Sequence, residues 1–136
     1  MARLNELVAL ALRRLGVVGS DEAAQAADIQ AGVDAYNLMV AGWAARNLDA
    51  VPGAGSDPAP IGSADTVPMV ARYHDAIVIL LAARMAPAYG VADPEPEVTR
   101  HWWRVLRGAL LDAATASIEY DSALTRTPTQ LRRRFS

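Results

Sequence analysis

From Ser20 to Arg46 the chain runs without a proline, and apolar side chains fall at Ile29, Val33, Tyr36, Val40 and Trp43. Steps of four and three residues put these five in one stripe along a helix, while Asp28, Asp34 and Asn37 take other faces. Ser20 is placed to act as the N-cap, and Asp21 and Glu22 would then sit in the first turn, where the helix dipole favours negative charge. At ~1.5 Å per residue the helix would be roughly 37 Å long. A helix this long with a narrow apolar stripe cannot stand alone. Other helices have to cover it, and this requirement governs the reading of the remaining sequence.

Residues 3–15 supply the first partner. Leu4, Leu7, Val8, Ala11, Leu12 and Leu15 mark one face, Arg3, Asn5, Glu6 and Arg13 the other, and Gly16 follows as a C-cap candidate. The linker Val17-Val18-Gly19 is so short that the first two helices must be spatial neighbours. Between Asn47 and Thr66 the periodicity stops; Pro52, Pro58, Pro60, Gly53, Gly55 and Gly62 make this a loop, with at most a weak hairpin. A third helix is predicted from Asp65 or Thr66, with Pro68 tolerated in its first turn. Its inward residues are Val70, Tyr73, Ile77, Leu80, Leu81 and Met85, widened by Ile79, and Pro87 and Gly90 end it. Apolar nearly all round from 77 to 83, it is the candidate centre of the core.

The fourth helix is predicted to open at Asp93-Pro94, with Pro96 still in the first turn and Glu95 and Glu97 at its positive end. Val98, Trp102, Val105, Ala109 and Ala113 mark one face, with Trp103, Leu106 and Leu110 beside it, and the helix runs to about Tyr120. The expected fold is an all-α four-helix bundle with a long loop between helices 2 and 3 and an extended C-terminal arm. Residues 1–120 are the helical domain and 121–136 the arm.

The 136 residues suffice for one core and not for two. Every one of the 13 basic residues is Arg, and there is no Cys to form a disulfide or a thiolate metal site. The net charge of −2 is unevenly spread: residues 1–120 carry −5 and residues 121–136 carry +3. The longest apolar run, Ala76–Ala83, falls far short of the ~20 residues that span a bilayer, and no signal peptide is evident, so a soluble protein with no membrane role is expected.

Chemistry-bearing motifs are missing. There is no phosphate-binding glycine loop, no His-Glu-x-x-His and no Gly-x-Ser-x-Gly. His74 is read as an edge-of-core residue with a hydrogen-bond partner, and His101, beside two tryptophans, as part of a packing or contact surface. No catalytic residue, metal site or cofactor is expected, and the chain is not read as an enzyme. Trp43 belongs to the core stripe. Trp102 and Trp103 point about 100° apart, so one of them is open to a role as an interface anchor. In the tail, Arg126, Arg132, Arg133 and Arg134 with Leu131 and Phe135 suit an acidic groove with two apolar anchors. A solvated end and a nucleic-acid arm are the other two readings of the same residues.

Taken in order, Ala11-Leu-Arg-Arg-Leu-Gly16, then Asp34-Ala35-x-Asn37-x-Met39-x-Ala41-x-Trp43, then Leu81-Ala82-Ala83-Arg84-Met85-Ala86-Pro87-x-Tyr89-Gly90 resemble the head-to-tail adaptor (connector) family of tailed bacteriophages, which includes packaged-DNA stabilisation proteins. The resemblance covers roughly residues 5–115. It implies a structural protein of the virion neck, assembled in the host cytoplasm as a homo-oligomeric ring, typically a dodecamer, beneath the portal protein. Such a ring extends the DNA channel, lets DNA pass without sequence-specific binding, helps retain the packaged genome and joins the capsid vertex to a tail or stopper protein. By position the resemblance assigns portal binding to Arg126, Leu131, Arg132, Arg133, Arg134 and Phe135. The loop 47–66, through Pro52, Pro58 and Pro60, and Trp103 become candidate contacts with the neighbouring subunit or the tail. A short-tailed phage, a long-tailed phage and a virus-derived gene transfer agent all fit. The runner-up reading is a small helical DNA-binding protein using the Arg-rich tail; a hydrolase comes third, with no catalytic constellation to support it.

Overall fold

The structure, a computed structural model, describes residues 2–19, 21–46, 48, 59–69 and 71–125, with side chains as far as Leu111. It is all-α: α1 (Leu4–Arg14), α2 (Ala26–Ala45), α3 (His74–Met85) and α4 (Pro96–Thr125), with 3-10 turns at Ala71–Tyr73 and Ala86–Tyr89 flanking α3 and no strand among the described residues. The central helix is α3. It packs against α1, α2 and α4, while α1 and α2 also pack on each other. Ile77, Leu80, Leu81 and Met85 are buried, as their nearly all-round apolar pattern requires.

The predicted faces of α1 and α2 hold. Leu4, Leu7, Val8, Ala11 and Leu12 are buried on α1, and Val33, Tyr36, Val40 and Trp43 on α2, with Ile29 half-buried. Gly16 closes α1 in the left-handed conformation, φ 74°. Its N–H donates to the Arg13 carbonyl at 3.0 Å and that of Val17 to the Leu12 carbonyl at 3.1 Å, the paired bonds of a Schellman closure. The two helices approach closely at Gly32, where a Cβ atom would meet Val8 Cγ1 at 2.2 Å.

Four boundaries differ from the sequence expectation, each for a tertiary reason. α2 begins at Ala26, with Gln25 and not Ser20 preceding it. Asp21 and Glu22 lie in a turn held by the Glu22 N–H on the Gly19 carbonyl, and Asp28 is the acid of the first helical turn. Burial of Val18 and Ala24 against the core routes this segment past α1 before the helix can start, so packing overrides alanine's helix propensity.

α3 begins at His74 and not near Thr66, because residues 61–67 are already engaged on the start of α1. The Ser63 and Asp65 carbonyls accept from Asn5 and Leu4 N–H, both at 2.9 Å, and the Val67 N–H donates to the Ala2 carbonyl at 3.2 Å. These bonds satisfy first-turn donors that a helix leaves without intrahelical partners. An isolated antiparallel bridge joins Arg3 to Thr66; the weak hairpin expected within the loop falls largely outside the described residues. α4 starts at Pro96, so that proline is the first helical residue; Asp93 sits ahead of it, accepting from Glu95 N–H and Thr99 Oγ1. At its other end α4 stays helical through Thr125, five residues into the segment expected to be an extended arm.

Of the two adjoining apolar stripes marked on α4, the core takes the second. Among its described side chains Leu106 and Leu110 are buried and Trp103 is half-buried against the core, whereas Val105 is exposed. The stripe 98/102/105/109 lies about 100° round the helix from this one, and Ala113 lies outside the described side chains. Trp103 fixes this rotation by meeting Trp43 of α2, ring centroids 5.8 Å apart and planes tilted by 33°.

Candidate interaction surfaces

Because α4 packs on α3 with the 103/106/110 face, its two flanks are left outward. One flank carries Arg100, Arg104 and Arg107, all exposed, at the spacing that stacks side chains in one row. The other carries Val98, Trp102, Val105 and Ala109, half-buried except for exposed Val105. His101 lies between them at the outermost position, its ring edge-on to Trp102 with centroids 5.8 Å apart. From Val98 to Leu111 the helix has no acidic residue.

The outward face of α2 is of another kind. Asp34, Leu38, Ala41 and Ala45 follow one another at helical spacing and are all exposed, Leu38 by 64%. Gln30 Nε2 holds Asp34 at 3.0 Å, and α2 contains no basic residue. Nearer the core, Asp28 accepts a hydrogen bond from Tyr89 Oη at 2.9 Å, tying α2 to the turn that ends α3. Burial and then the neighbouring Asp28 raise the Tyr89 hydroxyl above its ordinary pKa. Asn37, on the same helix, clasps Ile61 of the loop through both ends of its amide.

Two concave regions adjoin these surfaces. A shallow groove of about 660 Å³ runs between α1 and the start of α2, past Leu10, Arg13, Ile29 and Gln30. A smaller cleft of about 280 Å³ lies between the end of α2 and α4, with Arg46, Leu48, Trp103, Arg107 and Leu111 around it. On α1, Arg14 approaches Glu95 of α4, Nη2 to Oε1 3.8 Å, the ion pair found among the described residues. His74 is buried and its Nε2–H donates to the Met69 carbonyl at 3.0 Å, the partnered edge-of-core role expected of it. No cluster of three or more metal-ligating side chains occurs among the described residues, and no helix there is long and apolar enough to cross a membrane.

Of the candidate contact residues, Trp103 is committed in part to Trp43 within its own chain, and Pro60 is exposed at the start of the docked 59–67 segment. Arg126, Leu131, Arg132, Arg133, Arg134, Phe135, Pro52 and Pro58 lie outside the described residues. Sequence reasoning missed Asn37 as the anchor of the loop, and it missed the row Arg100, Arg104, Arg107, whose spacing of four and three was its visible signal. The chain matches no protein-family profile, no curated protein and no solved structure.

Proposed function

We propose that this protein is a structural component of a tailed-phage-type virion neck, a head-to-tail adaptor that docks on the portal through its basic C-terminal segment. The observation that carries the proposal is the break in charge along the chain: residues 1–120 bear −5, whereas residues 121–136 bear +3, with Leu131 and Phe135 among the arginines. The basic residues 126–136 follow directly on α4, which is helical to Thr125. Three further features support the reading. The segments that carry the family resemblance coincide with the close of α1, the middle of α2 and the end of α3. Residues 1–120 bear −5, which suits a channel wall past which DNA slides. A ring subunit needs two different exposed patches, and α2 and α4 present two. Neighbouring subunits, the portal and a tail or stopper protein are the partners in this reading.

The test is truncation. Removing residues 126–136 leaves α4 whole, so circular dichroism should be unchanged, and co-sedimentation with the portal protein of the same particle should be lost. Undiminished portal binding by the truncated chain overturns the assignment.

A second reading, a helical DNA-binding protein, draws on the exposed row Arg100, Arg104, Arg107 together with the four tail arginines. Gel-shift titration separates the two. Phosphate contacts made by several arginines release counterions, so affinity would fall steeply and log-linearly with salt; the neck reading requires weak binding without such a slope.

A further inference from the structure

The cleft between the end of α2 and α4 gathers positive charge that no described side chain balances. Arg46 lines it from the end of α2 and Arg107 from α4, and Trp103, Leu48 and Leu111 complete its walls. None of the five is acidic, and the ion pair found among the described residues is that of Arg14 with Glu95. On α4 the acids to either side of Arg107 are remote from the cleft. Glu97 comes ten residues earlier, about 15 Å back along the axis, and position 112 lies about 140° round the helix from Arg107. Two like charges brought to one small cleft repel each other; a bound oxyanion turns that repulsion into attraction. The remaining walls say what the anion is attached to. The turn that closes α2 sets Arg46 in place, since the N–H groups of Arg46 and Leu48 both donate to the Trp43 carbonyl at 2.9 Å and Leu48 is buried. Trp103, braced on Trp43, is half-buried and leaves part of its indole to the cleft. An indole with two leucines beside it suits a flat, largely apolar group. Charge then selects the anion. Two guanidinium groups carry +2, which a carboxylate or an internal phosphodiester meets only by half. A phosphate monoester, at about −1.5 to −2 near neutral pH, meets it almost in full, and the guanidinium fork matches phosphate oxygens.

From this arrangement we infer that the cleft binds a terminal phosphate monoester carried on a flat ring, the chemistry of a nucleoside monophosphate or of the 5′-phosphorylated end of a nucleic-acid strand. Arg46 and Arg107 grip the phosphate, and the ring lies against Trp103 between Leu48 and Leu111. Arg104, one turn before Arg107 in the exposed row, adds to the positive field without lining the cleft. The inference goes beyond the adaptor reading and stands or falls independently of it. It also differs from binding along a DNA backbone, where every internal phosphate carries a single charge and no exposed ring.

Calorimetric titration of the full chain with adenosine 5′-monophosphate tests the site, with adenosine and inorganic phosphate as separate ligands. The monophosphate should bind more tightly than either of its parts. Arg46→Gln and Arg107→Gln should each weaken it by about tenfold or more, whereas Arg100→Gln, in the same row but not around the cleft, should leave it unchanged. All three arginines are exposed, so circular dichroism should stay that of the parent protein. A short single strand is then compared with and without its 5′-phosphate. A phosphorylated strand that binds more tightly than both the nucleotide and its 5′-hydroxyl form upholds the site and assigns it to strand ends; one that binds no better than the nucleotide upholds it and assigns it to free nucleotide. No binding of either phosphorylated probe, adenosine binding as tightly as its monophosphate, or equal losses in all three glutamine variants overturns the inference.

Discussion

The side-chain amide of Asn37 and the backbone of Ile61 form a reciprocal pair: Nδ2 donates to the Ile61 carbonyl at 3.0 Å and Oδ1 accepts from the Ile61 N–H at 3.1 Å. One side chain on α2 thereby holds a peptide group 24 residues away. Replacing it with Leu leaves a partly buried donor and acceptor unmet, at a cost of about 1–3 kcal/mol. The measurement is urea denaturation together with hydrogen exchange at the Ile61 amide. Exchange there should accelerate far more than at Leu81, and equal protection in both proteins would show the clasp to be dispensable.

Gly32 faces Val8, and the 2.2 Å separation from a notional Cβ decides the sign of its replacement. In an exposed helix Gly→Ala stabilises by about 1 kcal/mol. Here the Val8 methyls have to move, and Gly32→Ala should destabilise by about 1–3 kcal/mol. Adding Val8→Ala should recover part of the loss, since the second change removes the obstruction. A double variant less stable than the two losses combined would mean that the helices do not meet at this point.

Burial pushes the Tyr36 hydroxyl up to about 12, from an ordinary value of 10.0. A raised folded-state value means that this group's stabilisation is complete below pH 10 and declines as pH rises through 10 toward 12, because the unfolded chain ionises first. Two units correspond to about 2–3 kcal/mol. Denaturation midpoints between pH 9 and 12 should fall for the parent protein and fall less for Tyr36→Phe. Parallel profiles would assign the alkaline loss to other groups.

Trp43 and Trp103 join α2 to α4, their ring centroids 5.8 Å apart. A double-mutant cycle with Leu at each position should return a coupling of about 0.5–1.5 kcal/mol. Additive losses would reduce the pair to proximity without interaction.

The buried faces of α1, α2 and α3 were legible in sequence because each helix presents one dominant pattern. Val33, Tyr36, Val40 and Trp43 admit no other alignment, and Leu80 and Leu81 belong to a helix covered on several sides. On α4 the same procedure marked two stripes, 98/102/105/109 and 103/106/110, which are both apolar and differ only by rotation. Which one turns inward is decided by Trp43, a residue 60 positions away, and periodicity within α4 contains no trace of that. The docking of 61–67 on α1 was hidden for a different reason: its bonds are largely between main-chain atoms, which leave no mark in residue identity. The late start of α3 follows from that docking and was hidden with it. Of the surfaces, the charge asymmetry of the tail was visible at once, whereas the outward flanks of α2 and α4 required knowing which faces go into the core.

The acceptors that complete the start of α1 are the main-chain oxygens of Ser63 and Asp65, and Ile61 is likewise gripped by its peptide group. At the other side of the connection, Leu48 is buried and its N–H is held by the Trp43 carbonyl at 2.9 Å. Both ends of the 49–60 interval are thus moored, and what moors the far end is largely indifferent to side-chain chemistry. Homologous chains should therefore differ freely in the spelling of 62–66 apart from Asp65, whose carboxylate accepts from the Gly62 N–H at 2.6 Å, and conserve its length, while the interval before it can lengthen at little expense, a doubling costing only about 0.6 kcal/mol in closure entropy. Evolution has here a place to try new surface contacts without disturbing the body that bears them.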